Sequence, residues 1–111
     1  MNDATNPTAF LIKATYRLHS DDIEQFRSLA SRMAANARKR SGCIFQDATQ
    51  NVDDPGTFNL MQGWSDRESF DAYIASAEFQ SVLHDAMRLR ILDHFGTLFL
   101  VSGEQALEMF S

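Results

Sequence analysis

The segment 54–73 constrains the fold of this chain more than any other part of the sequence. It opens with Asp-Pro-Gly at 54–56, a composition typical of a tight turn, because proline presets one backbone angle and glycine tolerates the left-handed region. The next residues alternate and predict a strand, and four of them share one face: Phe58, Leu60, Gln62 and Trp64. A helix with a polar start follows and carries Tyr73. An amide, an indole and a phenol are therefore expected close together beside the sheet.

Two further strand patterns and one helix pattern precede this segment. Residues 9–18 alternate between apolar and polar side chains and predict strand one. A polar start at 20–22 is followed by apolar residues at helical spacing up to about Arg40, which predict helix one. After Gly42, residues 43–49 predict strand two, and the turn joins it to strand three as an antiparallel hairpin.

The second half of the chain contains a divided helical pattern and one more strand. Ser65-Asp66-Arg67-Glu68 is a capping-box pattern that predicts the start of helix two, with Ser65 as its cap. The apolar stripe is interrupted near Ser76, which predicts a kink or break, and it resumes to about Asp93. Residues 96–101 predict strand four, and the amphipathic tail 104–111 favours one short helix.

The predicted order of elements is βαββαβ. Two right-handed β-α-β crossovers with this order produce an α+β, ferredoxin-like fold, in which both helices cover one face of a four-stranded antiparallel sheet. The 111 residues are expected to form a single domain. Its core is expected at about 9–102, between a short polar N-terminal extension and a C-terminal tail.

Apolar residues are predicted on both sides of the sheet. One set comprises Leu11, Phe45, Met61, Leu98 and Leu100, and the other comprises Phe10, Ile44, Leu60 and Phe99. Helices can cover only one face, so a second copy packing sheet to sheet is the simplest cover for the other. The sequence therefore predicts a homodimer, which suits a domain too small to bury most of its own surface.

Composition argues against several classes of protein. A net charge of −5 is unfavourable for nucleic acid as a partner, because phosphate binding needs a dense basic surface. The one basic run, 38–40, is better explained as cations at a helix end before a glycine stop than as an anion site. The segment 1–8 lacks a signal-peptide pattern, and no apolar run approaches the ~20 residues of a membrane span. We expect no membrane partner and a cytoplasmic location.

The cysteine and histidines give no sign of a metal site. The single cysteine, Cys43, permits no intramolecular disulfide, and its place at a strand start favours a small buried hydrophobe over a nucleophile. His19, His84 and His94 form no i, i+4 pair, and the sequence has no glycine-rich phosphate-binding loop. We therefore expect no metal and no cofactor. His19 and His94 have the positions of capping or interface residues.

Several short motifs occur in a characteristic order. They are Gly42-Cys43 before strand two, Asp54-Pro55 in the turn, Phe58 and Trp64 on strand three, Ser-Asp-x-x-Ser-Phe-x-x-Tyr over 65–73, and Ala77-Glu78-Phe79. With these motifs the chain resembles the antibiotic biosynthesis monooxygenase-like family of dimeric α+β barrels, over roughly Ala9 to Val101. The resemblance implies a homodimer whose sheets pack into a barrel, with a small-molecule cavity between helices and sheet in each subunit.

The chain departs from the family pattern at two ionisable positions. The family commonly has Glu-x-Trp where this chain has Gln62-Gly63-Trp64, and commonly has His where this chain has Tyr73. An acid-base mechanism built on that Glu and His is therefore not implied. Some members of the family oxidise anthrone-like or hydroquinone-like polyphenols with O₂ and no metal or flavin, and others degrade haem or have no known reaction.

The haem-degrading branch fits this sequence poorly. It has an Asn on strand one, where this chain has Ala14-Thr15, and a Trp at the position of Tyr73. Its haem-ligating His falls at Leu83, whereas His84 is one residue away and so rotated ~100° around a helix. Only a change of register at the break near Ser76 would restore that ligand.

Six residues are the candidates for the site. The predicted catalytic residues are Tyr73, His84 and Gln62, and the predicted substrate-binding residues are Trp64, Phe58 and Phe79. A tyrosine hydroxyl can hydrogen-bond a phenol or carbonyl in an apolar cavity, and a neutral imidazole can accept a phenolic proton near pH 7. Each has a structural alternative: Tyr73 as a core residue with a backbone partner, Trp64 as a packing anchor, and His84 as a surface residue.

Two functions of different classes follow from these residues. The first is a cofactor-independent monooxygenase that oxidises a small aromatic or polyphenolic, quinol- or anthrone-like metabolite with O₂. The second is a non-catalytic dimer of the same fold that binds a small metabolite or takes part in a stress response. The loss of the usual Glu and His favours the second.

Overall fold

The computed structural model describes residues 8–107, so most of the predicted N-terminal extension and residues 108–111 lie outside the described residues. The elements follow the predicted order, with a short 3-10 turn added and the second helical stretch divided in two. They are β1 (Phe10–Leu18), the turn (Ser20–Asp22), α1 (Ile23–Arg38), β2 (Cys43–Gln50), β3 (Thr57–Trp64), α2 (Arg67–Ile74), α3 (Ala77–Ala86) and β4 (Ile91–Leu100). No helix within 8–107 is long and apolar enough to cross a membrane.

The four strands form one antiparallel sheet in the order β2-β3-β1-β4. The register places Ile12 of β1 opposite Gln62 of β3 on one side and opposite Leu98 of β4 on the other. Since paired residues share a face, this register defines an inner face toward the helices and an open face away from them. The predicted ferredoxin-like fold is confirmed.

The core lies between the inner face and the helices, in two adjoining clusters. One cluster comprises Leu18, Phe26, Leu29, Ala30, Met33, Phe58, Leu60, Val82 and Ala86. The other comprises Phe10, Ala37, Trp64 and Tyr73. Phe79 is half-buried and packs against both clusters, so the start of α3 joins them.

The predicted break in the second helical stretch is confirmed. The predicted cap of α2, Ser65, is wrong. Between α2 and α3, the hydroxyl of Ser76 accepts a hydrogen bond from the backbone N–H of Phe79 at 3.2 Å and so begins a new helix. The cap of α2 is Asp66, whose carboxylate accepts the Ser69 N–H at 2.7 Å. Ser65 is held at the end of the sheet because its own N–H donates to the Gly42 carbonyl at 2.8 Å. The helix therefore starts one residue later.

The predicted start of β4 is also wrong, because α3 ends at Ala86 and β4 covers 91–100 instead of 96–101. The apolar residues before position 96 fit the spacing of a helix and of a strand equally well over so short a stretch. Pairing with β1 makes these residues a strand, since β4 is hydrogen-bonded to β1 from Ile91 onward. The tail expected to be helical from residue 104 has no helix in its described part, 104–107.

The side chains of β4 face opposite to the predicted grouping. Leu98 and Leu100 pair with Ile12 and Phe10, so they lie on the inner face, while Phe99 pairs with Leu11 on the open face. The cause is the alternation of a strand, in which one position of offset exchanges the two faces. Helices do not cover β4, and its apolar side chains are exposed on both faces, with Leu98 40% and Phe99 47% exposed.

Candidate functional site

The end of β3 carries a buried amide and indole that bind each other. Gln62 and Trp64 are two residues apart on a strand, so both side chains lie on the inner face. The indole Nε1 of Trp64 donates a hydrogen bond to the Gln62 Oε1 at 2.8 Å. This bond satisfies the one polar group of a fully buried tryptophan and fixes the orientation of the amide.

Helix α2 brings the Tyr73 ring against this pair. The ring stacks on Trp64 with centroids 5.4 Å apart, and Phe79 meets its edge with centroids 5.0 Å apart. The hydroxyl donates to the backbone carbonyl of Met33 in α1 at 3.3 Å. Burial raises the pKa of Tyr73 well above its ordinary value, and the neighbouring Cys43 adds to that rise. The Tyr73 hydroxyl therefore stays protonated, and it already donates its hydrogen bond within the protein.

The fold thus brings together four of the six predicted site residues: Gln62, Trp64, Tyr73 and Phe79. Phe58 belongs to the other core cluster, where its ring lies 4.9 Å from that of Phe26. His84 is exposed on α3, and its Nε2 lies 3.5 Å from the Arg88 guanidinium. No hydrogen bond in the described chain joins His84 to Gln62 or Tyr73, and the catalytic roles stay predictions.

A strip of the inner face of β1 and β4, here called the floor, adjoins this cluster. It consists of three strand pairs, Ile12 with Leu98, Ala14 with Gly96, and Tyr16 with His94. Its β1 side chains are half-buried against the core, whereas its β4 side chains are exposed. A Cβ atom added at Gly96 would have only the Lys13 carbonyl oxygen within 4 Å, at 3.8 Å, so this face of β4 is open there.

Tyr16 and His94 form the far end of this floor. Their rings are stacked with centroids 6.2 Å apart and planes inclined by 22°. Tyr16 also packs against Phe26, and burial raises the pKa of its hydroxyl, which keeps the phenol neutral as a hydrogen-bond donor. The sequence indicated Tyr16 only as one of the alternating inner residues of β1. His94 was expected at a capping or interface position, because the predicted strand four began after that residue.

Cys43 has the surroundings of a structural thiol. It is half-buried, and its Sγ donates to the Phe45 carbonyl at 3.5 Å. Burial raises the pKa of the thiol, against the smaller opposing effect of Arg38. A raised pKa disfavours the thiolate, as expected for a residue that serves in packing rather than as a nucleophile.

The chain matches a known protein family. The model of the family described as antibiotic biosynthesis monooxygenase matches residues 9–84, which include β1 through β3, both helices α1 and α2, and most of α3. No curated protein sequence matches the chain.

Solved structures with the same fold are numerous. One, provisionally named an antibiotic biosynthesis monooxygenase, is from Deinococcus radiodurans and has 16% identity and a TM-score of 0.79, with 92% of this chain and 99% of that chain covered. Another of the same provisional name, from Nitrosomonas europaea, has 15% identity and a TM-score of 0.80, with 90% and 96% covered. A Mycobacterium tuberculosis protein has 18% identity and a TM-score of 0.80, with 89% and 100% covered. At such low identity the likeness establishes the fold.

Proposed function

The chain belongs to the antibiotic biosynthesis monooxygenase family, and from this premise we propose that it is a cofactor-independent monooxygenase acting on a small aromatic or polyphenolic metabolite. Anthrones and hydroquinones are the substrate class, because their electron-rich rings supply the electrons for O₂. For an anthrone, the ring methylene becomes a carbonyl. One oxygen atom of O₂ enters the substrate, and the other leaves as water with the two methylene hydrogens.

The floor supports this proposal, because it runs from Ile12, beside the buried Trp64–Tyr73 pair, to His94. At one end the stacked rings of Trp64 and Tyr73 are packed and hydrogen-bonded. The floor continues past Ile12 to Gly96, where added atoms meet open space, and it ends at the Tyr16–His94 pair. An apolar floor with a few polar groups at one end suits a planar phenolic ligand.

Each group on this surface has a proposed role. The His94 imidazole accepts a phenolic proton from a hydroquinone or a methylene proton from an anthrone, because a neutral imidazole nitrogen can act as a general base. The neutral Tyr16 hydroxyl donates a hydrogen bond to the resulting oxyanion. The half-buried Ile12 and Phe79 form the apolar wall. Trp64 is fully buried behind it and, with Gln62, acts as a positioning residue.

A second candidate function is a non-catalytic dimer that binds the same class of metabolite. One observation favours it: the two polar groups at the family's usual acid-base positions are already engaged. The Gln62 oxygen accepts from Trp64, and the Tyr73 hydroxyl donates to Met33. The Tyr73 hydroxyl proton is therefore already used within the protein, and the Gln62 oxygen is oriented toward the indole.

Oxygen consumption distinguishes the two functions. Purified protein is incubated in air with anthrone, dithranol and menadiol, and O₂ uptake is measured with an electrode while product formation is followed by absorbance. We expect turnover of at least one compound above the rate in buffer. His94→Gln should then lower kcat/KM by roughly 100-fold, the lower range for loss of a general base.

His84→Gln is the matched control, because His84 is an exposed histidine on α3 and was the base predicted from the sequence. It should change kcat/KM less than about twofold, since surface substitutions seldom disturb the fold. A large effect of His84→Gln with none of His94→Gln would show that the general base is on α3 instead. Saturable binding without O₂ uptake for all three compounds would establish the non-catalytic function instead.

A further inference from the structure

A second concave site lies at the opposite edge of the sheet, between α1 and β2. It is a cleft of about 310 Å³, the lower end of the range for small-molecule sites. Ala30 and Ala34 are one helical turn apart and face Ala48 of β2, and Phe58 contributes to the lining. Small side chains at these positions leave the space open between helix and strand. Since β2 and β4 are the two outer strands, this cleft is separate from the floor beside His94.

The two arginines of the cleft differ in how far their charge is neutralised. Arg27 is paired with Glu24 at 2.6 Å and also donates to the Gln50 Oε1 at 3.1 Å. Arg38 uses its Nε to bind the Gln46 backbone carbonyl at 3.0 Å. Its closest carboxylate within the described residues is Asp47, which lies 4.0 Å from Nη2. The two terminal nitrogens of Arg38 thus remain as a fork for an anion at this end of the cleft.

Gln46 adds an unusual feature beside Arg38. Its side chain is only 1% exposed, yet neither Nε2 nor Oε1 has a hydrogen-bond partner. It lies two residues before Ala48 on the same face of β2, at the point where Arg38 binds the strand. Buried side-chain amides without a partner are rare, because each unpaired group forfeits the hydrogen bonds that it makes to water. The amide does not line the cleft, and both of its polar atoms are inaccessible, so a ligand in the cleft does not reach it.

We propose that the α1–β2 cleft binds a small organic monocarboxylate. Its carboxylate lies on the terminal nitrogens of Arg38, and its apolar body lies along the alanines toward Phe58. A carboxylate matches the flat guanidinium fork better than a point anion does. The site needs no O₂ chemistry, so it is independent of the oxidation proposed for the opposite edge.

Amide chemical shifts of the full-length ¹⁵N-labelled protein test this site. The probes are benzoate and 2-naphthoate, with 2-naphthalenemethanol as the uncharged analogue. We expect saturable shifts for at least one carboxylate, confined to 30–38 and 46–50, and at least tenfold weaker binding of the alcohol. Arg38→Gln should weaken carboxylate binding at least tenfold. Arg32→Gln is the matched control: Arg32 lies on the same helix outside the cleft and pairs with Asp85, so binding should be unchanged.

Two further variants separate binding from folding. Ser31 lines the cleft but is exposed, so Ser31→Phe should fill the space and abolish binding without a loss of melting temperature. Gln46→Leu should leave carboxylate binding unchanged, because the amide does not line the cleft, and should leave the melting temperature equal or higher, because it removes an unpartnered amide. The proposal is overturned if neither carboxylate gives saturable shifts in the cleft, if Arg38→Gln binds like Arg32→Gln, or if Ser31→Phe still binds the carboxylate.

Discussion

At the scale of single residues, the contacts of Tyr73 are those of a packing residue. A tyrosine with a fully buried ring between Trp64 and Phe79 contributes mainly apolar contact, and its hydroxyl must find a partner inside the protein. The Met33 carbonyl provides that partner and links α2 to α1. With a pKa raised by burial, the hydroxyl does not ionise near neutral pH. These contacts favour a structural task over proton transfer.

Tyr73→Phe tests this interpretation because ring volume is kept. We expect the variant to lose about 1 kcal/mol of unfolding free energy through the unmade hydrogen bond to Met33, with kcat/KM and ligand affinity unchanged. Urea unfolding and the oxygen-uptake assay are run on the same preparation. A tenfold lower turnover with unaltered stability would instead return Tyr73 to the catalytic group that the sequence predicted.

At the scale of elements, one charged cluster joins the start of α1 to the start of β4. The Asp22 carboxylate accepts hydrogen bonds from the Arg90 backbone N–H at 2.8 Å and from its guanidinium at 3.0 and 3.1 Å. Asp22 precedes α1 but makes no side-chain cap bond to it, since its oxygens are used by Arg90. This link holds the residue that precedes β4 against the start of α1, whereas the sequence pattern had predicted the strand to begin at residue 96.

The link should make stability depend on pH in the acid range. The hydrogen bonds from Arg90 hold the pKa of Asp22 below its ordinary value of 3.8, so the unfolded chain binds a proton more readily than the folded one. Stability from this group is therefore complete above the unfolded pKa and is lost as pH falls through 3.8 toward the lower folded value. Asp22→Asn should unfold at lower urea at pH 7 and show a smaller further loss between pH 5 and pH 2 than the wild type.

Arg90→Gln should reproduce this behaviour, because it removes the cause of the lowered pKa. Asp53→Asn, an exposed aspartate in the β2–β3 turn, should retain the wild-type profile. Urea midpoints measured at four pH values are sufficient. Parallel profiles for wild type and Asp22→Asn would show that Arg90 does not stabilise the folded carboxylate.

At the scale of the whole molecule, the subunit is a thin layer with one uncovered side. Its extents are 48 × 38 × 20 Å, and its radius of gyration is 15.2 Å. A compact domain of this length would have a radius of about 13 Å. The open face carries half-buried Leu11, Phe45 and Met61 and the exposed rings of Phe95 and Phe99. A second copy covering this face is the homodimer that the sequence predicts and that we propose.

Sedimentation tests the dimer directly. At micromolar concentration we expect a species of twice the 12.5 kDa subunit mass. Met61→Asp should weaken association by at least tenfold, because a buried unpaired carboxylate at a sheet-to-sheet contact costs more than about 1.4 kcal/mol. Val52→Asp, at a fully exposed position of the β2–β3 turn, should stay dimeric. A wild-type monomer at these concentrations would remove the proposal.

Local sequence patterns were sufficient to predict the order of elements, the inner face of β3 and the break near Ser76. These features rest on local information: a two-residue or 3.6-residue period, and a hydroxyl able to begin a new helix. For the same reason the neighbouring positions of Gln62, Trp64 and Tyr73 were predictable. Because α2 directly follows β3, side chains near their junction lie close together.

Four features became visible only in the folded chain: the start of β4, the pairing of Tyr16 with His94, the exposure of His84 and the unpartnered amide of Gln46. Each depends on contacts between residues that are distant in sequence, such as the β1–β4 register and the bonds from Arg90 to Asp22. Local patterns of apolar residues are degenerate over a few positions, whereas a strand register fixes the face of every side chain at once. The floor and the cleft proposed as binding sites were therefore invisible in the sequence, because their walls come from elements that meet only in the folded chain.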